Sequence, residues 1–360
     1  MTTQINIAGR PAIGPGLPAY VIAEIGTNHN RDLDTAEQML RALAATGCDC
    51  AKFQIYEPDE IVSGAVRAAD YGLDTLYGDI SAREMFERHL KTPKEWFPHL
   101  RELCHGLGMR FGATIHGRHG LAWARQAGLD LVKIASMDHT NLPFLRSLVN
   151  AVDAPVLISF GMAGETDVEA ALAALSGHRA GVGLFHCCAV YPPEPDELRL
   201  GNIAWLARRH RLPTGFSDHS TDAAAAIQAR RLGALIFEKH VTLDRRQPGP
   251  DHPFAMEMDA FGRYVQTLRA LPAGRPETVP AAFAAPAPRE MDNRHAYVKS
   301  VIVRSDLPAG HVLGPDDLYL ARPGTGIAPR HLDELPGRVL VRDVAAEHPL
   351  QWDDLDAARR

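Results

Sequence analysis

The chain has 360 residues, more than one ordinary domain, which predicts a large domain with a smaller companion. It is 46% hydrophobic and 23% charged, a balance that excludes a disordered chain. A net charge of −6 without a long basic run argues against phosphate-backbone binding, so no nucleic acid partner is expected. The opening MTTQINIAGRPAIGPG lacks the basic start, apolar centre and cleavage site of a signal peptide. No apolar run approaches the ~20 residues that span a bilayer. None of the five cysteines forms a CxxC pair, and Cys48/Cys50 and Cys187/Cys188 lie too close to bridge. Reduced thiols, no membrane partner and a cytoplasmic location are therefore expected.

Along the chain, β-rich runs are predicted at 20–25, 49–53, 110–114, 131–134, 156–159, 183–186, 214–217 and 235–239. Between them lie amphipathic stretches with apolar residues at i, i+3, i+4 spacing, over 34–46, 165–175 and 221–232 among others. This α/β alternation predicts a (β/α)8 (TIM) barrel over residues 1–272. An open doubly wound sheet would use the same alternation, but its first turn wants GxGxxG and this chain has AEIGTNHN. The 81–94 region, with ERHLKTP, reads as a surface helix and loop near the substrate site. The periodicity ends at a Pro/Ala-rich linker, 273–295. Residues 296–360 read as a small, mostly β domain with short strands near 301–303 and 339–341. Its core is too small to stand alone, so it is expected to pack against this barrel or a partner's.

Catalytic groups of such a barrel gather at the C-terminal ends of its strands. There the sequence places Glu24, Asn28 and His29, then Lys52 and Gln54, then Thr114. Lys133 and Ser136 follow, then Ser159, then His186 and Tyr191, then Ser217, Asp218 and His219, and finally Glu238, Lys239 and His240. Lys52, flanked by apolar Ala51 and Phe53, should point into the barrel. Two lysines and several hydroxyls in one mouth suit a ligand bearing phosphate and carboxylate. His219 and His240 could supply two imidazoles to a divalent metal, with water and substrate completing an open site. Glu24 could bind a hydroxyl or act as acid or base. His29 reads as site wall, Cys187 and Cys188 as packing, and His116 and His139 have no assigned role.

The ordered series AEIGTNH (23–29), AKFQ (51–54), KIAS with TNLP (133–136, 140–143), HC…YP (186–192), GFSDHS (215–220) and EKHVTLDR…GPDH (238–252) resembles the sialic acid synthase family. The tail, with SDLPAGHVLGPDDLYLARPGTGI, is similar to that family's antifreeze-like (SAF) domain. The resemblance implies condensation of phosphoenolpyruvate with an N-acetylmannosamine-like amino sugar and release of phosphate. It also implies that Lys52, Thr114, Lys133, Ser136, Ser159, Gly161 and Ser217 hold phosphoenolpyruvate. Glu24, Gln54, Tyr191 and Asp251 would contact the sugar, and His219 and His240 would bind Mn2+, with Mg2+ or Co2+ as alternatives. It implies, too, a homodimer that exchanges small domains, so that Arg322 of one chain reaches the other's barrel.

The chain departs from the family pattern at several places. Arg31 follows NHN where Gly is usual, the STPF-like segment reads ATIH (113–116), and STGM becomes SFGM with Phe160. Ala189 stands where a polar residue precedes YP, and the RRS start of the tail reads VKS (298–300). Phe160 and Ala189 remove polar groups, which puts the acceptor's identity in play more than the reaction class. One alternative acceptor is a diacetamido-trideoxyhexose, the precursor of legionaminic- or pseudaminic-type acids. Another is a 6-phosphorylated sugar, for which Arg31, Arg118 and Arg245–Arg246 are candidate partners. A non-catalytic sugar-binding protein would leave the converging lysines and histidines without a purpose.

Overall fold

The computed structural model describes residues 4–276 and 278–356. The ends of the spans 1–272 and 296–360, and Glu277 of the linker, lie outside the described residues. The first two strands, β1 (Ile5–Ile7) and β2 (Arg10–Ile13), form an antiparallel hairpin. Eight parallel strands follow: β3 (Tyr20–Glu24), β4 (Cys50–Ile55), β5 (Arg110–Ile115), β6 (Leu131–Ile134), β7 (Val156–Phe160), β8 (Val182–Cys187), β9 (Thr214–Asp218) and β10 (Ile236–Thr242). Each pairs with the next, and β10 also pairs with β3, which closes the barrel. Every barrel strand expected from sequence is present, with ends shifted by no more than three residues.

The period of two along each strand divides the barrel's residues between two environments. Outward positions such as Val21, Ala23, Ala51, Phe53, Val132, Ile134, Phe216 and Phe237 are buried beneath the surrounding helices. Inward positions are apolar at one end, where Ile22, Cys50, Leu131, Leu157, Phe185 and Ile236 pack together. The β1–β2 hairpin closes that end, with Ile5, Ile7 and Ile13 seated on this floor. One pleat further along, the inward residues turn polar: Glu24, Lys52, Lys133, Ser159, Ser217 and Glu238, all buried. A dry apolar plug thus lies below a buried polar ring.

The small domain contains β12 (Ser300–Val303) and β13 (Leu318–Ala321), antiparallel partners that follow the short β11 (Met256–Glu257). Its own core is a cluster that includes Val301, Val303, Leu318, Leu335, Leu340 and Leu350. The 339–341 piece makes isolated bridges and no named strand. The domain packs on the barrel of its own chain. Arg322 donates its backbone N–H to the Ile61 carbonyl at 3.0 Å, and its carbonyl accepts from Ser63 N at 2.9 Å. Glu347 accepts from Ser63 Oγ at 2.9 Å and pairs with Arg83 at 3.0 Å.

The stretch read as linker is not all linker, since Pro288–Tyr297 is helical, with Pro288 in its first turn. Its buried Glu290 accepts from Met162 N at 2.6 Å and Ala189 N at 2.9 Å. The helix therefore pins the loops after β7 and β8, both of which border the polar ring.

Candidate active site

Above the ring opens a cavity of about 350 Å³, at the C-terminal face of the strands. Glu24, Lys52, Gln54, Thr114, Lys133, Ser136, Ser159, Tyr191, Ser217, His219, His240, Asp251 and Arg322 all line it. Gly161 does not line it but lies behind Ser136, donating its backbone N–H to Ser136 Oγ at 2.9 Å, and a Cβ there would meet that oxygen at 2.8 Å. So close an approach requires glycine.

Lys52 is the hub of the floor. Its register partner Glu24 places Oε2 2.5 Å from Nζ, and Nζ also donates to Thr114 Oγ1 at 2.7 Å. Glu238 lies 3.7 Å from Lys52 and 3.8 Å from Lys133, and accepts from Ser217 Oγ at 3.3 Å. Lys133 stands over the Phe185 ring, 5.4 Å from its centroid. Ser159 Oγ is buried without a hydrogen-bond partner, the state of a hydroxyl that awaits a ligand.

The charges respond to burial and to one another. Burial pushes the Glu24 carboxyl up to about 7, against the attraction of Lys52. Burial also favours a protonated Glu238, but Lys133 and Lys52 hold it below the usual carboxylate value. Burial lowers Lys133 below an ordinary lysine, whereas Glu238 and Glu24 overcome burial at Lys52 and raise it.

A stability prediction follows from Glu24. Its folded pKa lies above the unfolded value of 4.5, so the native state binds the extra proton between 4.5 and about 7. Glu24 by itself therefore contributes on the order of 3 kcal/mol to the metal-free protein that is lost as pH rises through that window, while buried imidazoles such as His219, held down to about 4, act with the opposite sign below 6.5. Glu238 is shifted the other way and acts below 4.5. Calorimetric melting between pH 5 and 8 should give Glu24→Gln a pH slope that lacks this falling contribution. An unchanged slope in the variant would assign it to another group.

One wall is built from histidines. His219 and His240 lie 5.6 Å apart by ring centroids, and Phe254 packs on His240 at 5.0 Å. His219 Nδ1 faces the Cys188 carbonyl at 2.9 Å, which leaves Nε2 for the cavity. His240 Nδ1 is 3.5 Å from Asp251, and Thr27 donates to Asp251 at 3.3 Å. Burial pushes His219 down to about 4, and His240 falls well below the ordinary imidazole value through burial and the neighbouring His219. Neutral imidazoles are the form that ligates metal. Among the described residues no set of three His, Cys, Asp or Glu could hold an ion. A two-histidine site completed by water and substrate fits this donor set.

Five residues that the sequence placed at the mouth lie elsewhere. Lys239 and Asp218 occupy the outward pleat, paired at 3.0 Å behind the wall. His186 is buried against the Leu198 carbonyl at 2.6 Å. His29 is not wall but structure behind it, held by Thr92 at 2.8 Å, and Asn28 donates to the Val241 carbonyl at 2.9 Å. The alternation of inward and outward residues could have separated Lys239, Asp218 and His186 from the site, whereas Asn28 and His29 lie in the turn past β3, where it does not apply.

The lining of the upper cavity carries no assignment from the sequence beyond the placement of the 81–94 stretch near the site. Ile61, Tyr71, Leu73, Met85, Phe86 and Leu90 form an apolar wall, and the last three come from the stretch read as a surface helix. Tyr297 and Arg322 complete the roof, with the guanidinium 5.0 Å from the Tyr297 ring centroid. Arg322 thus enters the barrel of its own chain here. His116, without a role from sequence, lines the same cavity.

Among the described residues no helix is long and apolar enough to cross a membrane. Residues 298–356 match the SAF domain family. An N,N'-diacetyllegionaminic acid synthase of Legionella pneumophila is 30% identical over 99% of this chain and 100% of its own length. The enzyme of the same name from Campylobacter jejuni is 29% identical over 90% and 96%. The crystal structure of spore coat polysaccharide biosynthesis protein SpsE of Bacillus subtilis superposes with a TM-score of 0.83 at 27% identity, covering 98% of this chain and 99% of that one. With its closed barrel, its appended SAF module and a match to the family over residues 39–275, the chain belongs to the NeuB family.

Proposed function

We propose that the protein is a nonulosonic acid synthase that joins phosphoenolpyruvate to an open-chain N-acylated amino sugar and releases phosphate. The observation that carries this reading is the buried floor, where Lys52 and Lys133 stand among Thr114, Ser136, Ser159 and Ser217. Two cations and four hydroxyls in a dry cavity match a small molecule bearing phosphate and carboxylate.

C3 of phosphoenolpyruvate attacks the acceptor's aldehyde carbon, the aldehyde oxygen takes a proton, and C2 is left cationic. Water adds at C2 with loss of a proton, and the C–O bond to phosphate then breaks as the new C2 hydroxyl becomes the keto oxygen and gives up its proton to the departing phosphate. Lys52 and Lys133 offset the phosphate and carboxylate charge throughout. Glu24, joined to Gln54 at 2.9 Å and to Lys52, is placed to hold or move a proton between floor and acceptor. The Glu238 carboxylate beneath both lysines would stabilise positive charge at C2. His219 and His240 would hold a divalent ion, Mn2+ or alternatively Mg2+ or Co2+, which supplies Lewis-acid polarisation of the aldehyde when bound.

The apolar upper wall favours a deoxygenated acceptor bearing acyl groups, a diacetamido-trideoxyhexose over N-acetylmannosamine. A 6-phosphorylated acceptor finds less support, because Arg31, Arg118, Arg245 and Arg246 do not line the cavity. Arg31 is bonded to the Glu87 carbonyl, Arg245 to the Pro253 carbonyl and Arg246 to Asp244. The contacts that seat Arg322 would serve equally between two chains that exchange SAF domains, and a dimeric mass in sedimentation would support that assembly.

The test is incubation with Mn2+, phosphoenolpyruvate and a panel of free and 6-phosphorylated acylamino hexoses, with phosphate release and product mass as readouts. Turnover is expected with the diacetamido sugar, and should stop with chelator and in His219→Ala. Sugar binding that survives metal removal, without phosphate release from any acceptor, would favour a binding protein instead.

A further inference from the structure

We propose that His116 contacts the acceptor sugar, and that Lys299 of the SAF module holds it in position through Asp138. The inference rests on the condensing-enzyme reading and names a recognition residue for its acceptor. On β5 the inward positions are Gly112, Thr114 and, just past the strand, His116. Thr114 lies on the floor beside Lys52, so His116 stands one pleat higher, roughly 6–7 Å nearer the mouth. That is the level of the acceptor, not of phosphoenolpyruvate.

Its Nδ1 lies 2.6 Å from Asp138 Oδ2. Lys299 Nζ sits 2.7 Å from the other oxygen of the same carboxylate, and both side chains are at most 1% exposed. Asp138 closes the turn Ser136–Asp138, which also carries the floor hydroxyl, and Lys299 immediately precedes β12. Against burial, Lys299 and His116 hold Asp138 well below the usual carboxylate range. Burial keeps His116 below the ordinary imidazole value, opposed by Asp138. The ionised carboxylate therefore takes the Nδ1–H, and Nε2 is left as a lone pair beside the cavity.

An apolar residue would seal this joint without burying an ion pair, which costs several kcal/mol per ion before the partners meet. The imidazole gives the chain one thing that an apolar ring does not: an acceptor atom at the acceptor's level. It would take a hydrogen bond from a hydroxyl or an acylamino N–H. A phosphate placed there would meet a lone pair backed by a carboxylate, in keeping with an unphosphorylated sugar. Two of the chain's departures from the family pattern, His116 in ATIH and Lys299 in VKS, thereby meet in one network.

The experiment uses the full chain with Mn2+ and the acceptor selected from the panel, and measures KM separately for acceptor and phosphoenolpyruvate. Calorimetric titration with the borohydride-reduced, open-chain alditol of that sugar reads binding without turnover. His116→Phe should raise the acceptor KM and the alditol Kd by about 10-fold, with the phosphoenolpyruvate KM within about twofold. Lys299→Met should move the same two constants in the same direction, and Lys299→Arg should restore them. An unchanged alditol Kd in a folded His116→Phe protein, or an equal rise in both KM values, would overturn the inference and leave the synthase reading standing. A wild type that binds neither phosphoenolpyruvate nor the alditol would remove both.

Discussion

Replacing Lys52 by methionine is expected to cut kcat/KM by roughly 10²–10³-fold or more and to lower stability by about 3–5 kcal/mol. The side chain is 2% exposed and serves two carboxylates, Glu24 at 2.5 Å and Glu238 at 3.7 Å, besides donating to Thr114. Methionine fills the volume but leaves two acids facing each other in a dry cavity with Lys133 as the remaining lysine at the floor. Glu24, already pushed up to about 7 by burial, would take a proton more readily still. The variant should therefore fail twice, by losing a cation that meets phosphoenolpyruvate and by neutralising a group that manages the acceptor's proton. Adding Glu24→Gln should recover part of the stability, because the uncompensated acid is gone, and none of the activity. Chemical denaturation and phosphate release on the two variants separate these contributions. A double variant no more stable than the single one would show that Glu24 does not depend on Lys52.

The barrel was legible because its strands are runs of β-branched and apolar residues, bounded by turns and separated by amphipathic helices. The β1–β2 hairpin was not, since strands of three and four residues carry too little pattern. The helix Pro288–Tyr297 was masked by the Pro/Ala composition around it, although a proline in the first turn is itself a helix signal. Most of the floor was readable, since Lys52, Lys133, Ser159 and Glu238 follow the apolar Cys50, Leu131, Leu157 and Ile236 at a spacing of two. The same rule, applied strictly, sends Lys239 and Asp218 outward. The roof was illegible for a different reason. Tyr71, Met85, Phe86 and Tyr297 reach the cavity through loop geometry and the docking of a second domain, neither of which leaves a period in the sequence. His116 lies between these cases. Its spacing from Thr114 marks it as inward, but its partners Asp138 and Lys299 are brought to it only by the fold.

Lys239→Met tests whether the outer face of the strands governs the site. Lys239 Nζ lies 3.0 Å from Asp218 Oδ2, and both residues are 1% exposed. The lysine also donates to the Ser220 carbonyl, and Tyr264 OH donates to Asp218 at 3.3 Å. Asp218 Oδ1 in turn accepts from Ser220 N at 2.9 Å and Ser220 Oγ at 2.6 Å. The segment bearing Ser217 and His219 is thus clamped from behind by a buried ion pair that never meets substrate. Removing the lysine alone strands a buried carboxylate, and the expected cost is about 3–5 kcal/mol. Activity should fall as well at temperatures where the variant remains folded, because the segment bearing His219 then loses its clamp from behind and is left with the bond from His219 to the Cys188 carbonyl. Removing both charges, with Lys239→Met and Asp218→Asn, should recover much of the stability, since no unpaired ion remains, but little of the activity, since the clamp on Ser220 stays broken. Denaturation midpoints and phosphate release at low temperature measure the two effects separately. Full activity in a folded single variant would mean that the imidazole wall is held from within the cavity and that the outer pair serves stability alone.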